Sequence, residues 1–161
     1  MCFFRRAIIN MKTNTQPLNS KNEYITAFRG SFVSLLRWPQ LDSFWQTLKQ
    51  QADGNWYVYT VGQTVPTVTV TAEELIAFID KIDQQLRQEH QEDFCGIVYV
   101  DNKEKPDFIK IYDPNNLGVS CGYSDNPPLP GWVLSKIKPV DLFTNLTKAE
   151  TPKHWWQRWF K

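Results

Sequence analysis

The chain has 161 residues, 42% of them hydrophobic and 22% charged, which is one domain's worth of sequence with material for a core. It excludes a chain that is disordered or fibrous throughout. Lys and Arg number 18 against 17 Asp and Glu, a formal net charge of +1, and this near-neutral balance argues against a dedicated nucleic-acid binder, whose affinity rests on a basic surface.

Residues 1–10 mix charges into a short apolar stretch. A secretory leader would place its charges ahead of a longer apolar run and close on small residues. The expectation is an upstream extension with Met11 as an alternative start, followed by a polar, flexible arm through residue 22. Residues 24–38 carry Ile25, Phe28, Phe32, Leu35 and Leu36 on a helical face, but Gly30 interrupts it and Pro39 ends it. Leu41, Phe44, Trp45 and Leu48 then recur at helical spacing, with Asp42 as N-cap and Gly54 as the stop.

Residues 55–61 are aromatic and β-branched and predict a strand. After a turn, 67–70 predict a short partner strand. Thr71-Ala72-Glu73-Glu74 is a capping box, with Val70 and Leu75 placed as a hydrophobic staple. Leu75, Ile79, Ile82 and Leu86 form the apolar stripe of the helix that follows, which ends near His90. Asp83 and Arg87 form an i,i+4 pair on its wet side. Residues 94–100 and 108–112 predict a hairpin. Asp113-Pro114-Asn115-Asn116 is a turn, and Pro127, Pro128 and Pro130 forbid regular structure up to a last strand at 132–137. Strands come in adjacent pairs with short links. The fold expected is therefore α+β, a mainly antiparallel sheet of four to five strands covered by helices on one face. One domain spans 23–150, between the extension at 1–22 and an aromatic, basic tail at 151–161.

Little in the chain reads as catalysis. Cys2, Cys95 and Cys121 are too few for a disulfide framework and lack C-x-x-C spacing, so the chain is expected in the cytoplasm with reduced thiols. Cys95 sits in an apolar strand and reads as a small hydrophobe. His90 lies in a charged stretch and reads as a solvated helix end. No metal-ligand spacing and no phosphate-binding glycine motif is present, and no cofactor is expected. The aromatics Tyr57, Tyr59, Tyr99, Phe108 and Tyr112 suit core packing better than base stacking, and no nucleic-acid partner is expected.

Two features stand out. The first is the 113–131 connection, longer than the roughly 12–15 residues at which structureless links become uncommon. Asp113, Asn115, Asn116 and Cys121 would line a recognition surface there, with Trp132 packed beneath. The second is the tail, where Trp155, Trp156, Arg158 and Trp159 suit a protein groove or a peripheral membrane contact. The expected function is a non-enzymatic binding or accessory protein with a protein partner. The alternative is a small thiol-dependent enzyme or redox sensor using Cys121 flanked by Gly118 and Gly122.

Overall fold

The computed structural model describes residues 20–93, 95–115 and 129–147. The expectations placed on residues 1–19 and on the tail lie outside these residues. Four helices and five strands follow in the order α1 (Ser20–Phe28), β1 (Val33–Ser34), α2 (Trp38–Gln50), β2 (Tyr57–Thr60), α3 (Ala72–Glu89), β3 (Val98–Val100), β4 (Phe108–Ile111), β5 (Trp132–Ser135) and α4 (Leu142–Thr147). The strands form one sheet in the order β1-β3-β4-β5-β2, with every neighbouring pair antiparallel. The class is α+β, as the pattern of paired strands predicts.

The ambiguous 24–38 segment resolves into α1, a break and the two-residue β1. Gly30 marks the break. Its N–H donates to the Ala27 carbonyl at 3.1 Å, and a Cβ there would lie only 3.1 Å from that same oxygen. Pro39 opens α2 instead of ending a helix, because the first turn has no intrahelical use for its missing N–H. Asp42 is correspondingly one turn inside α2, and Gln40 Oε1 accepts from the Arg37 N–H at 3.1 Å. Gly54 falls beyond the end of α2, at φ +76° in the turn before β2. The predicted strand at 67–70 reduces to a single bridge, Trp56 with Val70. The main partner of β2 is the distant β5.

α3 starts as its capping box predicts. The Glu74 N–H donates to Thr71 Oγ1 at 3.2 Å, and the Thr71 N–H donates to Glu74 Oε2 at 2.8 Å. Leu75, Ile79, Ile82 and Leu86 are all buried. They pack with Leu41, Phe44, Trp45 and Leu48 of α2 against Val98, Val100, Ile109, Ile111 and Leu134. A polar seam closes the rim between the two helices. Trp45 Nε1 donates to Asp83 Oδ1 at 3.1 Å, and Lys49 pairs with Asp80. Arg87 meets Asp83 at 3.0 Å as expected, and it also reaches Asp42 and lies 4.8 Å from the centroid of the Trp38 ring.

The long helices α2 and α3 thus cover one face, as expected. The other face is covered as well, by the short helices α1 and α4. There Tyr24 and Phe28 of α1 and Leu142 of α4 bury Tyr59, Phe108 and Val133. The Phe108 ring centroid lies 5.1 Å from Tyr24, 5.9 Å from Phe32 and 6.3 Å from Phe28. Lys110 shares this face. Its ammonium stands 3.8 Å from the centroid of the Phe32 ring and 4.1 Å from that of Phe28.

Two stability predictions follow from this packing. Thr71→Ala removes the reciprocal cap of α3 and should cost on the order of 1 kcal/mol in urea unfolding. Lys110 is the second case, because burial lowers its ammonium pKa to about 8. Between that value and the ordinary lysine range the unfolded chain binds more protons than the folded one, so this group makes stability rise with pH. Lys110→Met should therefore raise the melting temperature at pH 7 and flatten the change between pH 7 and 9.5. Burial raises the pKa values of Tyr24, Tyr59 and Tyr112, so those groups stay protonated across this interval.

Candidate functional site

The 113–131 connection leaves the sheet between two strands that are direct neighbours. β4 ends at Ile111 and β5 begins at Trp132, and these two residues are cross-strand partners. Hairpin connections between such neighbours usually take about 2–5 residues. Here the link runs from 112 to 131.

Both feet of the link are tied to the domain. At the outgoing foot, the Tyr112 N–H donates to the Ile97 carbonyl at 2.9 Å. The Asn115 N–H donates to Asp113 Oδ1 at 2.9 Å, which closes an Asx turn. Asn115 Nδ2 donates to Asp113 Oδ1 at 3.0 Å and to Glu89 Oε2 at 3.1 Å. The carboxamide therefore gives one bond to its own turn and one to Glu89, the last residue of α3. At the returning foot, the Gly131 N–H donates to the Ile111 carbonyl and its own carbonyl accepts from the Val61 N–H, both at 2.9 Å. A Cβ at Gly131 would lie 3.5 Å from the Asp113 Cβ, so the two feet run side by side. Trp132 is half-buried and packs against the core under α2 and α3.

The structure thus gathers Asp113, Asn115 and Trp132 at one end of the sheet. Asn116, Cys121, Trp155, Trp156, Arg158 and Trp159 lie outside the described residues. The link's anchor on α3, Glu89, was not among the candidates, because nothing local connects a helix end to a turn far along the chain. Asn115 holds the foot of the loop through its own side chain, so its replacement reports on anchoring.

The neighbouring α3 terminus differs from its expected solvated state. His90 is 7% exposed. Its N–H donates to the Leu86 carbonyl at 2.8 Å, and its ring lies 5.9 Å from that of Trp38. Trp38 is fixed in turn by an Nε1 bond to the Glu92 carbonyl at 3.0 Å. The aromatic start of α2 therefore covers the imidazole, which local sequence alone does not reveal. Cys95, 1% exposed, is a buried free thiol whose pKa is pushed up by that burial, as a small hydrophobe in a core would be. Tyr59 and Phe108 are buried, so they form no open stacking platform. Among the described residues no group of three or more His, Cys, Asp or Glu is placed to hold a metal ion, and no helix is long and apolar enough to cross a membrane.

Compared with protein-family models, with curated proteins and with solved structures, the chain matches none.

If Asn115 anchors the loop through Glu89, the two substitutions must be coupled. A double-mutant cycle of Asn115→Ala and Glu89→Ala should give a coupling of a few tenths to about 1 kcal/mol in urea unfolding, the range for exposed charge-assisted bonds. Strict additivity would show that the contact contributes nothing.

Proposed function

We propose that this chain is a non-enzymatic binding or accessory protein that recognises a protein partner through the 113–131 connection. The observation that carries this reading is the mismatch between a long link and its mounting. The two strands it joins are adjacent, and its feet are bonded to Ile97 just before β3, to Glu89 at the end of α3 and to Val61 just after β2. A link this long is not needed to join β4 to β5. Recognition loops are characteristically long segments carried on rigid elements. The Trp-rich tail, with Trp155, Trp156, Arg158 and Trp159, serves in this reading as a second contact, to the same partner or to a membrane surface. We place the protein in the cytoplasm, where the free thiol of Cys95 stays reduced.

The test replaces residues 116–128 by a short Gly-Ser linker and leaves both feet intact. Wild-type and variant chains are used side by side for affinity capture from the native cell, with a third chain truncated from Lys153. The expected result is a partner held by the wild-type chain and lost by the loop variant at an unchanged melting temperature. Equal capture by the wild-type chain and the loop variant would overturn the assignment to the loop. Loss on truncation alone would move the contact to the tail.

A further inference from the structure

Lys110 lies at the middle of the sheet, on the face covered by α1. Register aligns Ser34 of β1 with Tyr99 of β3, Tyr99 with Lys110 of β4, and Lys110 with Val133 of β5. Directly opposed residues share a face, with Cβ atoms roughly 4.5–5.5 Å apart. A hydroxyl, a phenol and an amine therefore stand in a row across three adjacent strands. The Ser34 hydroxyl is buried and has no hydrogen-bond partner among the described residues. The ammonium of Lys110 rests on Phe28 and Phe32, and among the described residues no carboxylate lies within ion-pair distance of it.

A surface lysine normally keeps its head in water and stays protonated at neutral pH. Here apolar rings take the place of water on two sides, and the amine is half-buried. Ring faces stabilise a cation less well than full hydration with a counter-ion does, so the uncharged amine gains ground. The titratable groups around it are Tyr24 on α1, Tyr99 on β3 and Tyr112 beyond β4, and burial raises the pKa of Tyr24 and of Tyr112. Burial is the cause of the lowered basicity, with no neighbouring charge contributing. Lysines desolvated in this way are the ones that act as amine nucleophiles.

We propose that Lys110 is a covalent modification site for small carbonyl compounds, its amine presented over the Phe28 and Phe32 rings on the α1 face of the sheet. The amine lone pair attacks the carbonyl carbon, forming the C–N bond as the C=O π pair moves to oxygen. A proton passes from nitrogen to that oxygen, giving a carbinolamine. Loss of water then leaves an imine, and no oxidant or reductant is needed. The amine is only half-buried, so solvent water can carry that proton.

The test is competitive reductive methylation of the intact chain with limiting formaldehyde and cyanoborohydride, mapped by peptide mass spectrometry. Lys81 and Lys103 are exposed and serve as internal references. At pH 7 Lys110 should be labelled on the order of tenfold faster than either, because more of it is unprotonated. Its advantage should shrink as pH rises through 9. Phe32→Ala, which lets water reach the amine, should remove most of the advantage while Lys110 remains present. Lys110→Arg should leave the rates at Lys81 and Lys103 unchanged. Labelling of Lys110 no faster than the two references at pH 7, or an advantage independent of pH, would overturn the proposal.

Discussion

The rest of the structure depends on β4 being buried on both faces. Ile109 and Ile111 point into the core beneath α2 and α3, while Phe108 enters the core beneath α1 and α4. The antiparallel register passes this division to the neighbouring strands. Val98 and Val100 follow the isoleucines on one side, and Leu134 with Val58 follows them on the other. Because side chains alternate strictly, a slip of one residue would drive Lys110 into the α2–α3 core and leave Ile109 among the rings of α1. Two incompatible linings thus fix one pairing, although individual strands have only two to four residues. The edges are short for the same economy of pairing. β1 contributes two residues, and Val70 bridges Trp56 just before β2, which limits the surface open to pairing with another chain.

How much of this was legible depended on whether the signal was local. The start of α3 was, since Thr71 and Glu74 are three residues apart and satisfy each other without help from elsewhere. The β3–β4 hairpin was legible for the same reason. The partner of β2 was not. Residues 67–70 have the composition of a strand, but β5 brings Val133 and Leu134, which fill both cores at once, and Thr-Val-Thr-Val cannot do that. The second helical layer was also written in the sequence. An antiparallel sheet with one wet face alternates apolar and polar residues. Phe108-Ile109-Lys110-Ile111 and Trp132-Val133-Leu134-Ser135 barely alternate, which is the mark of strands covered on both sides. Pro39 misled because proline serves equally well to end a segment and to begin a helix, and only the chain's path distinguishes the two.

The site divides in the same way. Asp113 and Asn115 were visible as turn formers, and Trp132 as the strand residue behind them. Glu89 was invisible because its link to Asn115 joins parts of the chain that meet only when α3 packs on the sheet. Lys110 left a trace that was available: a single charge within an otherwise apolar strand has to be tolerated by something specific. What tolerates it, two phenylalanine rings from α1 and the break after it, could be known only once α1 was placed on that face.

The loop and the lysine are one residue apart at their nearest strand positions, yet the side chains that hold them differ. Ile111 and Trp132 close the hairpin on the α2–α3 face, and Asn115 carries that connection to Glu89. Lys110 turns to the opposite face, where its neighbours are Phe28, Phe32 and Tyr99. Alternation along β4 therefore separates two environments that sequence proximity would merge. Replacing residues beyond the Asn115 foot leaves the rings around Lys110 in place. The rings of Phe28 and Phe32 take no part in the Asn115–Glu89 bond, so opening them leaves that bond its own partners. The proposed binding through the loop and the proposed reactivity at Lys110 can thus be tested separately, although β4 carries Lys110 and leads into the loop.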